Sequence, residues 1–413
     1  MKLLIGGSPC THWSIAQTKN RETEASGIGW ELFLNYRIAR DKYKPDYFLY
    51  ENNKSMSPAI RAQITAELGV EPVLINSALV SAQNRQRLYW VGRRNPDGTY
   101  SQVPVEQPVD RGILLRDILE SGAVTWLEKA YTLRASAGTK QGVSNILRHI
   151  ETNGKFGYMG VAEPIDACCV AQRGRYIGEG GKVAQHFEAR TDGKTNTLTT
   201  VEKDNLVAEP IRIGTIENDA KNQDHDSQQY RVYSPDGKSV TLCGNGGGLG
   251  AKTGLYATPA GGPDGKAWPV YEVRDGFITI KGKRYPIKLR DGFYIIRKLT
   301  VRECMRLQTV PEEYVFPVSN SQAYKMLGNG WTVDVIAHIM SHFEWLTAEP
   351  VEVLSMYDGM SCGHIALDKL GAEITAYYAT EIDKYAIQTT QHNYPDTVQL
   401  GDAFQVRGEG WTL

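Results

Sequence analysis

Three groups of residues in this chain are of types and spacings that can do chemistry. Near the start, the apolar run Lys2–Ile5 is cut short by Gly6-Gly7-Ser8-Pro9, and Cys10 follows. Proline fixes the turn before it and removes a backbone donor, so a side chain placed there is held in a set direction at a strand end. A cysteine in that position is a candidate nucleophile, against the alternative of a buried structural cysteine. Glu51-Asn52 closes a second apolar run, Tyr47-Phe48-Leu49-Tyr50, and sets a proton donor at another strand end. The third group is Tyr357-Asp358-Gly359-Met360-Ser361-Cys362-Gly363, which follows a strand and opens a helix, with Glu381 lying 22 residues beyond Gly359. That spacing suits a nucleoside site, where glycine admits the ligand to the backbone and the carboxylate accepts ribose hydroxyls. The full G-x-G-x-x-G is absent, which favours a nucleoside over a dinucleotide. Asp402, ending a further strand, can accept from an adenine amino group. Gly244–Gly250 with Lys252-Thr253 invites a phosphate-loop reading, but Ala251 stands where that motif needs glycine before the lysine.

Taken together these groups resemble the motifs of the cytosine carbon-5 DNA methyltransferases. Gly7-Ser8-Pro9-Cys10 resembles the family's Pro-Cys loop, Glu51-Asn52 its Glu-Asn-Val motif and Gln83-Asn84-Arg85-Gln86-Arg87 its Gln-x-Arg-x-Arg motif. Arg297–Glu303 with Arg306-Leu307-Gln308 is similar to the segment framing the recognition domain, and Gly328-Asn329 to the late Gly-Asn motif. Tyr357-Asp358-Gly359, Glu381-Ile382-Asp383 and Gly401-Asp402 resemble the S-adenosylmethionine motifs. Asn53 stands in place of the usual Val, Ser361 in place of a Gly, and Trp331 follows Asn329-Gly330 as in animal de novo methyltransferases. The cofactor motifs, first in the family, come last here, so the resemblance implies a circularly permuted order.

The roles that follow are those the resemblance implies. Cys10 adds to carbon 6 of cytosine, Glu51 serves ring nitrogen 3, Arg87 holds the base carbonyl or a phosphate, and Arg85 is structural or phosphate-facing. Tyr357, Asp358, Gly359, Glu381, Ile382, Asp402, Asn329 and Trp331 hold S-adenosylmethionine. Gln83 faces DNA, and the polar stretch Thr11–Ser26 is a lid over a flipped base. No metal is implied.

Elements must position these groups. Strand-like runs at Lys2–Ile5, Tyr47–Tyr50 and Val73–Ile75, with helical spacing over Ile60–Leu68, predict strand-helix-strand alternation and a parallel α/β sheet. Alternation resumes after Leu299, with helices over Leu299–Leu307, Ala323–Met326, Val333–Phe343 and Ile365–Leu370, and strands over Val351–Met356 and Thr375–Thr380. The fold expected is a doubly wound, Rossmann-like methyltransferase sheet with a smaller, irregular, β-rich target-recognition domain. Boundaries fall at 1–94 and 297–413 for the two parts of the methyltransferase domain and 95–296 for the recognition domain. Inside the latter, Asp192-Gly193-Lys194 and Asp236-Gly237-Lys238 repeat at a separation of 44 residues, each followed by Thr-Leu, which reads as two hairpins with Lys194 and Lys238 meeting DNA.

The 413 residues suffice for two or three domains, and no apolar run approaches a membrane span. Six scattered cysteines without a C-x-x-C pair argue for a reducing cytoplasm and against a zinc cluster. Net charge is −1, but Tyr271–Val310 carries ten Lys and Arg against four acids, while Glu344 to the end carries three against eleven. That asymmetry fits a polyanion held at one place and a neutral or cationic small molecule at another. Duplex DNA is the expected partner, bound by a monomer in the cytoplasm of a bacterial or phage-infected cell. An RNA cytosine methyltransferase and an inactive DNA-binding or cofactor-sensing protein are the competing readings. The roughly 200 residues between Arg94 and Arg297 favour DNA over RNA, and intact Cys10, Glu51 and Arg87 favour an enzyme.

Overall fold

The computed structural model describes residues 1–14, 21–120, 123–135, 142–164, 168–177, 182–189, 206–208, 214–215, 231–232 and 268–413. The chain divides into two units, one of Met1–Ile118, Glu128–Gln141 and Thr300–Leu413, the other of Leu119–Leu127 and Gly142–Leu299.

In the first unit eight strands form one sheet: β1 (Lys2–Gly6), β2 (Tyr47–Asn53), β3 (Pro72–Asn76), β4 (Gln86–Arg94), β5 (Tyr100–Gln102), β6 (Val351–Met356), β7 (Ile374–Thr380) and β8 (Val398–Gly401). Their order is β8-β7-β6-β1-β2-β4-β3, with β5 pairing to β4. The strands from β8 through β2 run parallel. The all-parallel expectation fails at one strand: β4 is antiparallel to both neighbours, β2 and β3. A short return from β3 to β4, through the turn at Ser77–Leu79, leaves no length for the crossover a parallel pair requires.

Strand β1 reads Leu3-Leu4-Ile5 with no exposed surface because sheet neighbours flank it on both sides. Helix α1 (Gly27–Tyr43) buries Trp30, Phe33, Tyr36, Ala39 and Tyr43, one stripe at helical spacing, into a cluster with Leu4, Phe48, Tyr50 and Trp90. Each such side chain contributes ~1.5–3 kcal/mol on full burial. Helix α2 (Pro58–Leu68) buries Ile60, Ile64 and Leu68; Ser57 caps its start by accepting from the Ile60 N–H at 3.2 Å, and Gly69 ends it in the left-handed region. Helices α3 (Val301–Leu307), α4 (Asn320–Asn329), α5 (Val333–Met340), α6 (Cys362–Leu370) and α7 (Lys384–Asn393) complete the unit. The Thr300-x-x-Glu303 part of the recognition-framing motif is a capping box that starts α3.

The second unit packs the helix Val143–Glu151, through Ile146, Leu147 and Ile150, on Ala162, Val273, Ile278, Ile280, Ile287, Tyr294 and Ile296. Its antiparallel strands include Val161–Pro164, Trp268–Arg274, Phe277–Ile280, Lys283–Pro286 and Gly292–Arg297. The boundary drawn at Asn95 from composition differs from this division: residues 95–118 and 128–141 belong with the first unit, since β5 returns to β4 and Ala130 bridges to Gln83. The two Asp-Gly-Lys repeats, and with them Lys194 and Lys238, lie outside the described residues.

Candidate active site

Three strand ends that matter chemically lie side by side. Gly6 of β1 pairs with Met356 of β6 on one side and with Tyr50 of β2 on the other. The next residues along each chain segment are therefore neighbours: Gly7–Cys10 in the middle, Glu51 on one flank, Tyr357–Gly359 on the other. Chain order runs outward from β6 to β8 in one direction and from β1 to β2 in the other, so this is the switch point of the sheet, where clefts form at carboxyl ends of strands. Cys10 opens a one-turn helix, Cys10–His12, directly after the β1 loop.

Adjacent residues of Glu51-Asn52 point to opposite faces of β2 and do different work. Asn52 is buried and donates to the Ser8 carbonyl at 3.2 Å and to the Tyr50 hydroxyl at 3.2 Å, while Ser8 Oγ and Tyr50 OH meet at 2.6 Å. Burial pushes the Tyr50 phenol well above its usual range, so it stays protonated and the Pro-Cys loop is tied to a neutral network. Glu51 has both oxygens engaged: Oε1 by Arg87 Nε at 3.0 Å and Oε2 by the Trp331 indole N–H at 2.8 Å. Gly7 makes this approach possible, because a Cβ there would stand 2.9 Å from the Glu51 carbonyl oxygen and 2.9 Å from Oε2.

Of the Gln-x-Arg-x-Arg motif only Arg87 lies in β4; Gln83 sits on an isolated bridge to Ala130 and Arg85 in the irregular segment just before the strand. Each meets a different target. Arg87 reaches Glu51. Arg85, 3% exposed, donates to the carbonyls of Leu133 (3.3 Å), Gly328 (3.2 Å) and Gly330 (2.8 Å). Gln83, expected to face DNA, is instead fully buried: its amide donates to Leu307 O (3.3 Å) and Gln308 Oε1 (3.2 Å) and accepts from the Leu133 N–H (2.8 Å). Gln308 in turn donates to the carbonyls of Leu327 (2.6 Å) and Gly330 (3.2 Å). The motif was visible in the sequence; the partners of Gln83 and Arg85, from 48 to 245 residues away, were not.

On the cofactor-motif side, Gly359 has φ +61° with open space where a Cβ would be, between the left-handed Tyr357 and Ser361. Its N–H donates to Glu381 Oε2 at 2.9 Å, and Glu381 Oε1 accepts from the N–H groups of Ile382 (2.7 Å) and Asp383 (2.8 Å). Ile382 is 74% exposed, an apolar side chain beside that carboxylate. Asp402 and Asn329 are also exposed, Asp402 accepting from the Phe404 N–H at 2.9 Å. Two expected contacts turn inward. Tyr357 donates its hydroxyl to Leu32 O at 2.6 Å, and Asp358, raised above the carboxylate range by burial, accepts from Tyr377 OH at 2.8 Å and from Ser361 Oγ. Trp331, read as a cofactor contact, has its indole on Glu51. Residues 15–20 of the stretch read as a lid lie outside the described residues; on its flanks Trp13 is buried, with its indole N–H on Glu22 at 3.1 Å, and Arg21 donates to Trp13 O at 3.1 Å.

The family model for C-5 cytosine-specific DNA methylases matches residues 1–345. The chain belongs to that family. It is 27% identical over 435 aligned residues to the orphan methyltransferase M.Rho11sI of Bacillus phage rho11s, covering 82% of this chain and 83% of the relative. To the orphan methyltransferase M.SPRI of Bacillus phage SPR it is 24% identical over 400 residues, covering 82% and 81%. A shorter match, 28% identical over 148 residues, covers 36% of this chain and 33% of the type II methyltransferase M.HhaI of Haemophilus parahaemolyticus. The chain is therefore a DNA (cytosine-5) methyltransferase, and the polar cluster around Glu51 belongs to the part of it that the family model spans. No described helix is long and apolar enough to cross a membrane, and the described residues hold no cluster of three or more metal-ligating side chains.

Proposed function

We propose that this methyltransferase flips a cytosine out of duplex DNA and methylates it at carbon 5, with Cys10 as nucleophile, Glu51 at ring nitrogen 3 and S-adenosylmethionine as donor. The observation that carries the reading is the side-by-side exit of β1, β2 and β6, which brings the Cys10 loop between Glu51 and the Tyr357–Gly359 turn. Direct methyl transfer needs nucleophile, base and donor in one cleft.

The residues at the β6, β7 and β8 ends fit the cofactor. Gly359 leaves room for a ligand against its backbone, Glu381 retains lone pairs for ribose hydroxyls, exposed Ile382 offers an apolar face to a purine, and Asp402, exposed and accepting from the Phe404 N–H, can also accept from the purine's amino group. Bound there, S-adenosylmethionine supplies an electrophilic methyl group. The protein's own groups do the rest. The Cys10 thiolate bonds to carbon 6 while Glu51 hydrogen-bonds or protonates nitrogen 3, so the electron pair of the 5,6 double bond becomes available at carbon 5. After carbon 5 takes the methyl group it loses its proton to a base, the double bond reforms and the thiolate leaves. Flipping the base costs a few kcal/mol, which contacts to the displaced strand must offset.

The motif order supports a circular permutation in which the cofactor strands β6, β7 and β8 follow, rather than precede, the nucleophile strand. The second unit is the target-recognition domain, and the enzyme acts as a monomer on DNA in the cytoplasm. Transfer of label from tritiated S-adenosylmethionine to duplex DNA, and not to RNA, tests the substrate. Cys10→Ser is expected to abolish that transfer with cofactor affinity within about twofold of the parent, and DNA carrying 5-fluorocytosine is expected to trap a covalent adduct with the parent enzyme alone. An adduct formed equally by the serine variant would overturn the assignment of Cys10.

A further inference from the structure

We infer that Trp331 is a positioning residue for Glu51, and that Arg85 acts on the reaction through Trp331. The inference rests on the methyltransferase reading above and extends it to residues for which that reading gives another role or none.

The geometry is a clamp. A glutamate side chain has three rotatable bonds, and leaving it mobile at a reaction centre forfeits orientation. Here one carboxylate oxygen is held by Arg87 Nε at 3.0 Å and the other by the Trp331 indole N–H at 2.8 Å, so the carboxyl plane is fixed from two sides. Arg87 comes from β4 and Trp331 from the turn after α4. The turn is itself held. The Gly330 N–H donates to Met326 O at 2.7 Å, and the Gly330 carbonyl accepts from Arg85 at 2.8 Å and Gln308 at 3.2 Å. Thr332, next in the chain, donates to Gln308 Oε1 at 2.9 Å and accepts from Ser77 at 2.9 Å. The residues on both sides of Trp331 are thus fastened by buried polar groups, which hold its backbone where the indole N–H meets Glu51. The two arginines of the Gln-x-Arg-x-Arg motif serve one carboxylate, Arg87 by contact and Arg85 through the turn that carries Trp331.

Trp331→Phe keeps the ring and removes the N–H. Glu51 then keeps one fixed oxygen in place of two, and the loss of one hydrogen bond to a charged group is expected to lower kcat about tenfold or more. KM for DNA and the dissociation constant for S-adenosylmethionine, measured calorimetrically, are expected to stay within about twofold. Cofactor-free release of tritium from DNA carrying 5-tritiated cytosine should slow in parallel, because that exchange needs thiolate addition and Glu51 but no methyl donor. An unchanged kcat overturns the proposal. So does a loss of cofactor affinity that accounts for the whole fall in rate with tritium release intact, which would make Trp331 a cofactor contact. The indole N–H resonance of Trp331, assigned by its loss in Trp331→Phe, is expected to move upfield in Glu51→Ala; a resonance that stays in place overturns the contact itself. A parent chain that transfers no methyl group and releases no tritium would instead sink the methyltransferase reading, and the resonance would still decide the contact.

Discussion

Glu51 is crowded: donors hold both of its oxygens, and the backbone of Gly7 lies against its side. Gly7→Ala is accordingly expected to be costly without touching any charged group. Its Cβ would sit 2.9 Å from a backbone carbonyl that cannot swing away, so β1 and β2 must separate locally, at ~1–3 kcal/mol for such overpacking. Thermal melting should fall by several degrees, and methyl transfer should fall more than cofactor binding, since Glu51 moves and Glu381 does not. A variant with parental melting and turnover would show that the gap can open freely. At this scale the sequence was readable where chemistry dictates residue type. The placement of Cys10 after Pro9 and of Glu51 at the neighbouring strand end could be read because each closes a short apolar run. Gln83 was misread because a polar side chain in a motif resembles a ligand contact, while its partners are the Leu307 carbonyl, the Gln308 side chain and the Leu133 N–H, which composition cannot reveal. Arg85, read as structural or phosphate-facing, has the first of those roles, buried against backbone carbonyls.

Elements carry their own electrostatics, and α7 is an instance. Asp383 caps its start by accepting from the Tyr385 N–H at 3.0 Å and pairs with Lys325 of α4 at 2.5 Å. Burial opposes ionisation, but the Lys325 ammonium and the helix N–H groups outweigh it and hold the carboxyl below its usual range. A depressed carboxylate stabilises the fold above its unfolded value, near pH 4, and the contribution fades as pH falls through the folded value. Asp383→Asn preserves the cap but not the charge, so it is expected to cost about 0.5–1 kcal/mol at pH 7 and almost nothing near pH 2. Chemical denaturation at the two pH values checks this, and an equal cost at both would mean the charge is irrelevant. Helix α2 was legible from the helical spacing of Ile60–Leu68, and the structure extends it to a Ser57 cap and a Gly69 stop. Helix α1 was not, because Ser26 makes no side-chain cap and the task falls to Glu22, whose carboxylate reaches the Gly29 N–H from outside the helix. Asp275-Gly276, which was not singled out in the sequence, makes a hairpin turn: both residues have positive φ and the flanking strands pair.

For the molecule as a whole, the two end segments of the chain reach neighbouring places, one the link between α1 and β2 and the other the last turn of α1. The Lys2 N–H donates to Asp46 at 2.7 Å, and Lys42 donates to the carbonyls of Val406 (2.8 Å) and Gly408 (2.7 Å). Joining Leu413 to Met1 through a few residues and reopening the chain near Glu349 is therefore expected to give a folded, active enzyme in ordinary family order, judged by melting and by methyl transfer. Failure at every linker length would count against the permutation. The alternation of strands and helices made the parallel core of the sheet legible, whereas the reversal of β4 was hidden because a short return and a crossover are both polar stretches in sequence. The same strand order has a consequence in time. Leu3 lies beside Tyr47, but its other neighbour is Val353, so one edge of β1 must wait for some 350 residues to leave the ribosome. At about 5–20 residues per second that is roughly 20–70 s. Throughout it the nascent chain presents Leu3-Leu4-Ile5 along an open strand edge, a template for any other extended segment nearby. Synthesis rate and chaperone supply, more than the stability of the finished protein, would then govern how much active enzyme a cell obtains.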